Sequence, residues 1–264
     1  MASMAASATT SPSPSPPLPP GVVASLERSQ ARFLKHIVGD DVNADGNPWV
    51  VEKKSDRLVV RGAQAKDNNV RMFRVTFWVR TTHPDGINQF LTELMDMAKR
   101  PEWDKTIKYG ETRFGYDDEE EKGQPTKTRY ELVEYTTNSV AGGLISPRWF
   151  LDARKTFQGA DGTSYCVTTD GGDAGLVACQ ANHVQAKNYE GSCSMLKPVR
   201  TEAGGAVLWK CENLAHCNIN GYLPMWVVNR ETGSAMMGTY TLLLKNLCEV
   251  MGDALVVVDP AEFV

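Results

Sequence analysis

Apolar residues recur with two periods along this chain, and the switches between them lay out its elements. Steps of three and four mark helices, and strict alternation marks strands. Val22, Leu26, Phe33 and Ile37, with charges between them, predict a helix over 22–38. A turn-rich break covers 40–48. Trp49-Val50-Val51 opens a strand and Leu58-Val59-Val60 sits in a second. The third, 70–80, is the clearest: Phe73, Val75, Phe77 and Val79 alternate with Arg74, Thr76, Trp78 and Arg80. Helical spacing returns over 85–99 at Ile87, Phe90, Leu91, Leu94 and Met97, with Asp85 as N-cap. Arg100–Phe114 leads into another strand, and the acidic run 117–121 reads as a solvated hairpin loop. Further strands are predicted over 126–136, 148–157, 163–169, 183–198 and 206–217, parted by Gly-rich turns. From Asn220 to Met251, one helical face collects Met236, Tyr240, Leu243, Leu247 and Met251. Gly233 and Gly238 interrupt that helix, each weakening it by about 1 kcal/mol relative to Ala.

The order is helix, three strands, helix, about six strands, long helix. Successive strands without helical crossovers argue for an α+β chain with a mainly antiparallel sheet. A sheet of about nine strands curls, and the long helix can pack into its concave side. On spacing alone that helix closes either a core or a cavity.

Composition narrows the classes. The formal net charge of −4 offers no clustered cations for nucleic acid. No run of eighteen or so apolar residues predicts a transmembrane helix, and no secretory signal is evident. The six cysteines form no C-x-x-C pair, so we expect no metal site and read them as reduced core thiols. Residues 1–20, rich in Ser, Ala and Pro, are expected to be a disordered tail, with a transit peptide as the alternative. The domain is then 21–258, with 259–264 as a C-terminal tail.

Few residues suggest catalysis. The GGDAG cluster at 171–175 lacks phosphate-loop spacing, and the four histidines show no paired spacing. More informative is Ser146–Arg154, SPRWFLDAR. On a strand, Arg148, Phe150, Asp152 and Arg154 share one face, and Trp149, Leu151 and Ala153 the other. Either the second face is core and the first meets solvent, or the first looks inward and carries two cations into the interior, where they need partners.

Four anchors in order now carry a resemblance. They are Arg100-x-x-Trp103-Asp104, Ser146-Pro147-Arg148-x-Phe150-x-x-x-Arg154, Met195-Leu196-Lys197-Pro198, and Gly221–Asn229 reading GYLPMWVVN. Over about 49–251 the chain resembles the START (steroidogenic-acute-regulatory-related lipid transfer) domain family. The resemblance implies a helix-grip fold, in which a curved nine-stranded antiparallel sheet wraps a long C-terminal helix around a tunnel for one lipid. It also implies non-enzymatic binding and intermembrane transfer, no cofactor, transient membrane contact, and a cytoplasmic monomer. Burial of about fifteen methylenes, at about 0.8 kcal/mol each, makes such a tunnel a strong sink for an acyl chain. Position by position, Arg154 matches the family's buried arginine, with Glu131 or Glu134 as its acidic partner. Arg100 matches a phosphate-binding arginine, which tips the ligand towards phospholipid over sterol. Tyr130 and Phe150 match walls of a choline cage. Tyr130 and Glu131 are adjacent, so either a bulge intervenes or Tyr130 pairs inward with Glu134. Trp103, Trp209, Met236, Tyr240, Leu243 and Leu247 complete the expected lipid-binding set. Trp149 departs from the Asp or Glu of many members. A lipid-sensing adaptor, or a hydrolase or cyclase on the same grip fold, are the alternatives.

Overall fold

The computed structural model describes residues 17–83, 86–118, 127–139, 143, 145–172, 183–222 and 224–263. In chain order these form α1 (Pro20–His36), β1 (Val50–Lys54), β2 (Leu58–Gln64), β3 (Arg71–Thr81), α2 (Gly86–Met95), α3 (Arg100–Trp103), β4 (Ile107–Asp118) and β5 (Thr128–Thr137). There follow β6 (Arg148–Gln158), β7 (Ser164–Asp170), β8 (Val184–Gln185), β9 (Lys187–Asn188), β10 (Cys193–Thr201), β11 (Val207–Asn218), α4 (Met225–Met251) and β12 (Leu255–Val258). Nine strands make a continuous antiparallel path, β1-β2-β3-β11-β10-β7-β6-β5-β4, and the other three pair off it. One face of the sheet packs α4 and the other carries α1, so the α+β helix-grip expectation holds.

Alternation assigns the two faces. On β3, Phe73, Val75, Phe77 and Val79 join Leu243, Leu244 and Leu247 of α4 in one core. On the opposite face, Trp149, Leu151 and Ala153 of β6 and Tyr130 and Leu132 of β5 pack with Leu26 and Phe33 of α1. Charge on that side is paired under cover: Arg74, wholly buried, meets Glu212, and Lys155, 1% exposed, reaches Glu27 at 2.8 Å.

Several boundaries differ from the sequence reading. Leu18 is buried in the α1-side core, so the folded unit begins before residue 20; positions 1–16 lie outside the described residues. The strand expected over 183–198 is split into β8, β9 and β10: β8 pairs with β6 and β9 with β11, and Gly191 turns the chain before β10 at a φ of 101°. The helix expected to reach residue 99 stops at Met95, where Asp96 Oδ1 accepts from the Ala98 N–H at 3.0 Å; its predicted N-cap, Asp85, lies outside the described residues. The run Leu255–Val258 forms an added strand against Trp78–Thr81, the stretch of β3 that β2 leaves uncovered. Pro198 lacks an N–H, and the β10–β11 register slips just beyond it.

Candidate functional site

The α4 helix does not cover the whole concave face. It lies over the apolar half, β2 and β3, and a cavity of about 540 Å³ remains beside it over β5, β6, β7 and β10. The sheet side of this cavity includes Tyr135, Phe150, Asp152, Arg154, Thr168, Ser194 and Asn213. The first half of α4 contributes Glu231, Thr232, Ala235, Met236, Thr239 and Tyr240, which recur at helical steps. Met95 and Arg100 close one side, and Arg148, Ile145 and Ile219 another.

The β5–β6 register decides which side chains enter. Glu131 faces Arg154, Val133 faces Asp152 and Tyr135 faces Phe150 in an unbroken antiparallel ladder. Arg148, Phe150, Asp152 and Arg154 therefore look inward. The Tyr135 and Phe150 rings stack, with centroids 4.6 Å apart and planes 5° from parallel.

The charged groups are bound unequally. Arg148 spends its donors on the Ser146 carbonyl and hydroxyl and on the carbonyls of Ile219 and Asn220. It thus clamps the turn at Asn220 (φ 48°) and Gly221 (φ 94°) that leads into α4, joining the second anchor to the fourth. Burial draws its pKa below the ordinary arginine value. Arg100 Nε donates to Asp104 at 2.9 Å, and its guanidinium lies over the Trp103 ring. Arg154, 5% exposed, donates to the Met95 carbonyl at 3.0 Å, and its Nε–H has no acceptor. Asp152, 1% exposed, accepts from Asn188 Nδ2 at 2.9 Å, and its Oδ1 has no donor. Desolvation pushes the Asp152 pKa up to about 6, against the pull of Arg154. The Tyr135 hydroxyl is raised well above its usual value, by burial first and Asp152 second, while Arg154 and Arg100 both pull it back. Desolvation lifts Cys166 to about 11, so this lining thiol stays protonated and unreactive.

Of the expected set, Arg100, Phe150, Arg154, Met236 and Tyr240 line the cavity. Trp103, Trp209, Leu243 and Leu247 sit instead in the core under α4. Tyr130 and Glu134 are on the α1 side: the ladder has no bulge, and Tyr130 does pair in phase with Glu134, but outward. Arg154 pairs with neither candidate acid. Glu131 accepts from Arg129 Nε at 2.9 Å, and Glu134 meets Arg113 and the Trp149 indole N–H, at 2.6 Å from the latter. That last bond explains the departure at Trp149: its N–H serves a buried carboxylate on the face away from the cavity. Asp152, Tyr135, Asn188 and Asn213 were not anticipated as site residues. Alternation along β6 already placed Asp152 on the same face as Arg154, whereas the others needed strand register.

The START domain family model matches residues 34–247. The chain belongs to the START domain family. No curated protein sequence matches. Among solved structures, human StAR-related lipid transfer protein 5 superposes with a TM-score of 0.62 at 19% identity, covering 86% of this chain and 98% of that one. A StAR-related lipid transfer protein from Xanthomonas axonopodis gives 0.55 at 18% identity, covering 75% and 98%. Human STARD10 gives 0.50 at 14% identity, covering 75% and 73%. At these identities the likeness carries the fold, and membership in this START family carries lipid binding. Among the described residues, no helix is long and apolar enough to cross a membrane, and no His, Cys, Asp and Glu cluster suits a metal.

Proposed function

We propose that this START protein binds one lipid in the cavity and transfers it between membranes unaltered, as a cytoplasmic monomer, and that it prefers a phosphate head group to a sterol hydroxyl. The observation that carries the reading is the pair of guanidinium groups on the cavity wall. Arg154 keeps a buried N–H without an acceptor, and Arg100 is held on one edge by Asp104. A phosphate offers several acceptors to such groups and forms charge-assisted bonds with them. A sterol hydroxyl is neutral and accepts at most two. Neither lining serine of the sheet is set up as a nucleophile: Ser194 accepts from Asn213 at 2.8 Å and Ser192 accepts from the His216 backbone N–H.

Membrane contact is read at the start of α4. Tyr222 is fully exposed and Trp226 is 67% exposed, and amphipathic aromatic rings favour the head-group layer.

The test is to incubate the protein with vesicles holding phospholipid and sterol, re-isolate it, and identify the bound species by native mass spectrometry. Phospholipid loading is expected. R100A should weaken it about tenfold, the worth of a hydrogen bond to a charged group, and leave sterol loading as it was. An empty protein, sterol alone, or turnover of an ester would overturn the reading.

A further inference from the structure

Asp152 is out of place in a site built only for a phosphate. A carboxylate repels that group, and burying one costs free energy unless it is paired. Yet Asp152 is 1% exposed, faces the cavity, and keeps Oδ1 without a donor. Its Oδ2 is fixed by Asn188, whose Nδ2 also lies 3.3 Å from the Tyr135 hydroxyl. Two positions along the same face of β6 stands Arg154, roughly 6.5–7 Å further at strand spacing.

Arg154 is the cation that offsets Asp152. A phosphate that takes the Arg154 guanidinium consumes that compensation. The buried carboxylate then needs a new positive charge, and Oδ1 needs a donor. A primary ammonium supplies both. A quaternary ammonium supplies charge without an N–H, and it is held by aromatic walls on several sides. Here the stacked Tyr135–Phe150 pair makes one wall, and Tyr130 lies on the far side of the sheet. The phosphate and ammonium of an ethanolamine head group are separated by two carbons, a span that suits neighbouring inward positions on one strand.

We propose that Asp152 is the specificity-determining residue of the cavity, selecting phospholipids whose head group ends in a primary ammonium over those ending in a quaternary one. The inference rests on the phosphate reading given above. It also excludes a serine head group, whose extra carboxylate would face Asp152.

The experiment loads the full chain from vesicles containing ethanolamine and choline phospholipids in equal amounts with matched chains, then identifies bound lipid by native mass spectrometry. The expected preference for ethanolamine is about tenfold, the discrimination that one hydrogen bond to a charged group provides. In D152N it should fall to near parity. A second series needs no variant: ethanolamine lipids carrying one, two or three N-methyl groups should hold their loading until the third methyl removes the last N–H. Equal loading of ethanolamine and choline lipids, an unchanged ratio in D152N, or a smooth decline across the methyl series would overturn the role of Asp152 while leaving the phosphate reading standing. Loading of sterol alone would remove both.

Discussion

Asp152 makes one pH-dependent contribution to the stability of the fold. Desolvation raises its pKa from 3.8 to about 6, opposed by Arg154 and the bonds from Asn188 and Tyr135, with Asp170 adding to the rise. The folded state therefore holds this proton more tightly than the unfolded chain does. The cost of ionisation is absent below about pH 4, grows as pH rises through 6, and is complete above it. A rise of that size makes the ionised carboxylate cost the fold about 3 kcal/mol. D152N should then stabilise the empty protein at pH 7.5 by up to that amount, and the gain should vanish near pH 4, as measured by urea unfolding at both pH values. A binding group that lowers stability until its ligand arrives is a recognised cost of function. Trp149 tests the opposite case, a residue whose polar atom is structural. W149F leaves the wholly buried Glu134 without its 2.6 Å indole donor. The expected loss is about 1–3 kcal/mol by denaturant titration, with lipid loading unchanged because that bond lies on the α1 side.

The α4 helix is two elements in one. Leu243, Leu244 and Leu247 are 0–1% exposed in the core against β3, so the second half is anchored by burial. The first half borders the cavity, where Ser234 and Ala235 are exposed. Amide exchange should therefore be graded, slow over 241–251 and faster over 226–240, with lipid protecting the faster half. Uniform protection with and without vesicles would leave the helix no gating role. Substitutions divide the same way. L247A should cost about 2–5 kcal/mol by cavity formation without changing which lipid is loaded. T239F, projecting into the cavity, should block loading while the fold persists. The two glycines also differ. An added Cβ at Gly233 would stand 3.2 Å from the Phe73 ring, whereas none of the surroundings of Gly238 come within 4 Å. Gly233 thus permits close packing, and Gly238 is the position left for flexing.

Across the whole molecule, an apolar half of the concave face grips the helix and a polar half is left uncovered. That division separates stability from binding. It also places the exposed Tyr222 and Trp226 at the end of α4 that borders the cavity. If these rings enter the head-group layer, the double substitution Y222A/W226A should slow vesicle-to-vesicle transfer while the amount of lipid bound at equilibrium stays the same. Equal transfer rates for both proteins would remove this surface from the membrane contact.

Local periodicity was enough to predict the helices at either end, the alternation of β3 and β6, and that Arg148, Phe150, Asp152 and Arg154 share one face, but not which way that face looks. These follow from geometry between near neighbours, where 3.6- and 2-residue repeats decide what shares a face. The pairing of Arg154 was out of reach, because it depends on which strand lies beside β6 and in which register; a slip of one residue exchanges the faces. Glu131 and Glu134 were both close in sequence, yet one bonds Arg129 and the other turns to Trp149 across the sheet. The split of α4 was hidden for a related reason. Met236, Tyr240, Leu243 and Leu247 fall on one helical stripe in the sequence, and only the sheet beneath decides that the stripe leaves the cavity at Tyr240 and enters the core at Leu243. Sequence determined which residues could face inward together; tertiary packing decided what they face, because contacts between distant strands are set by the fold as a whole.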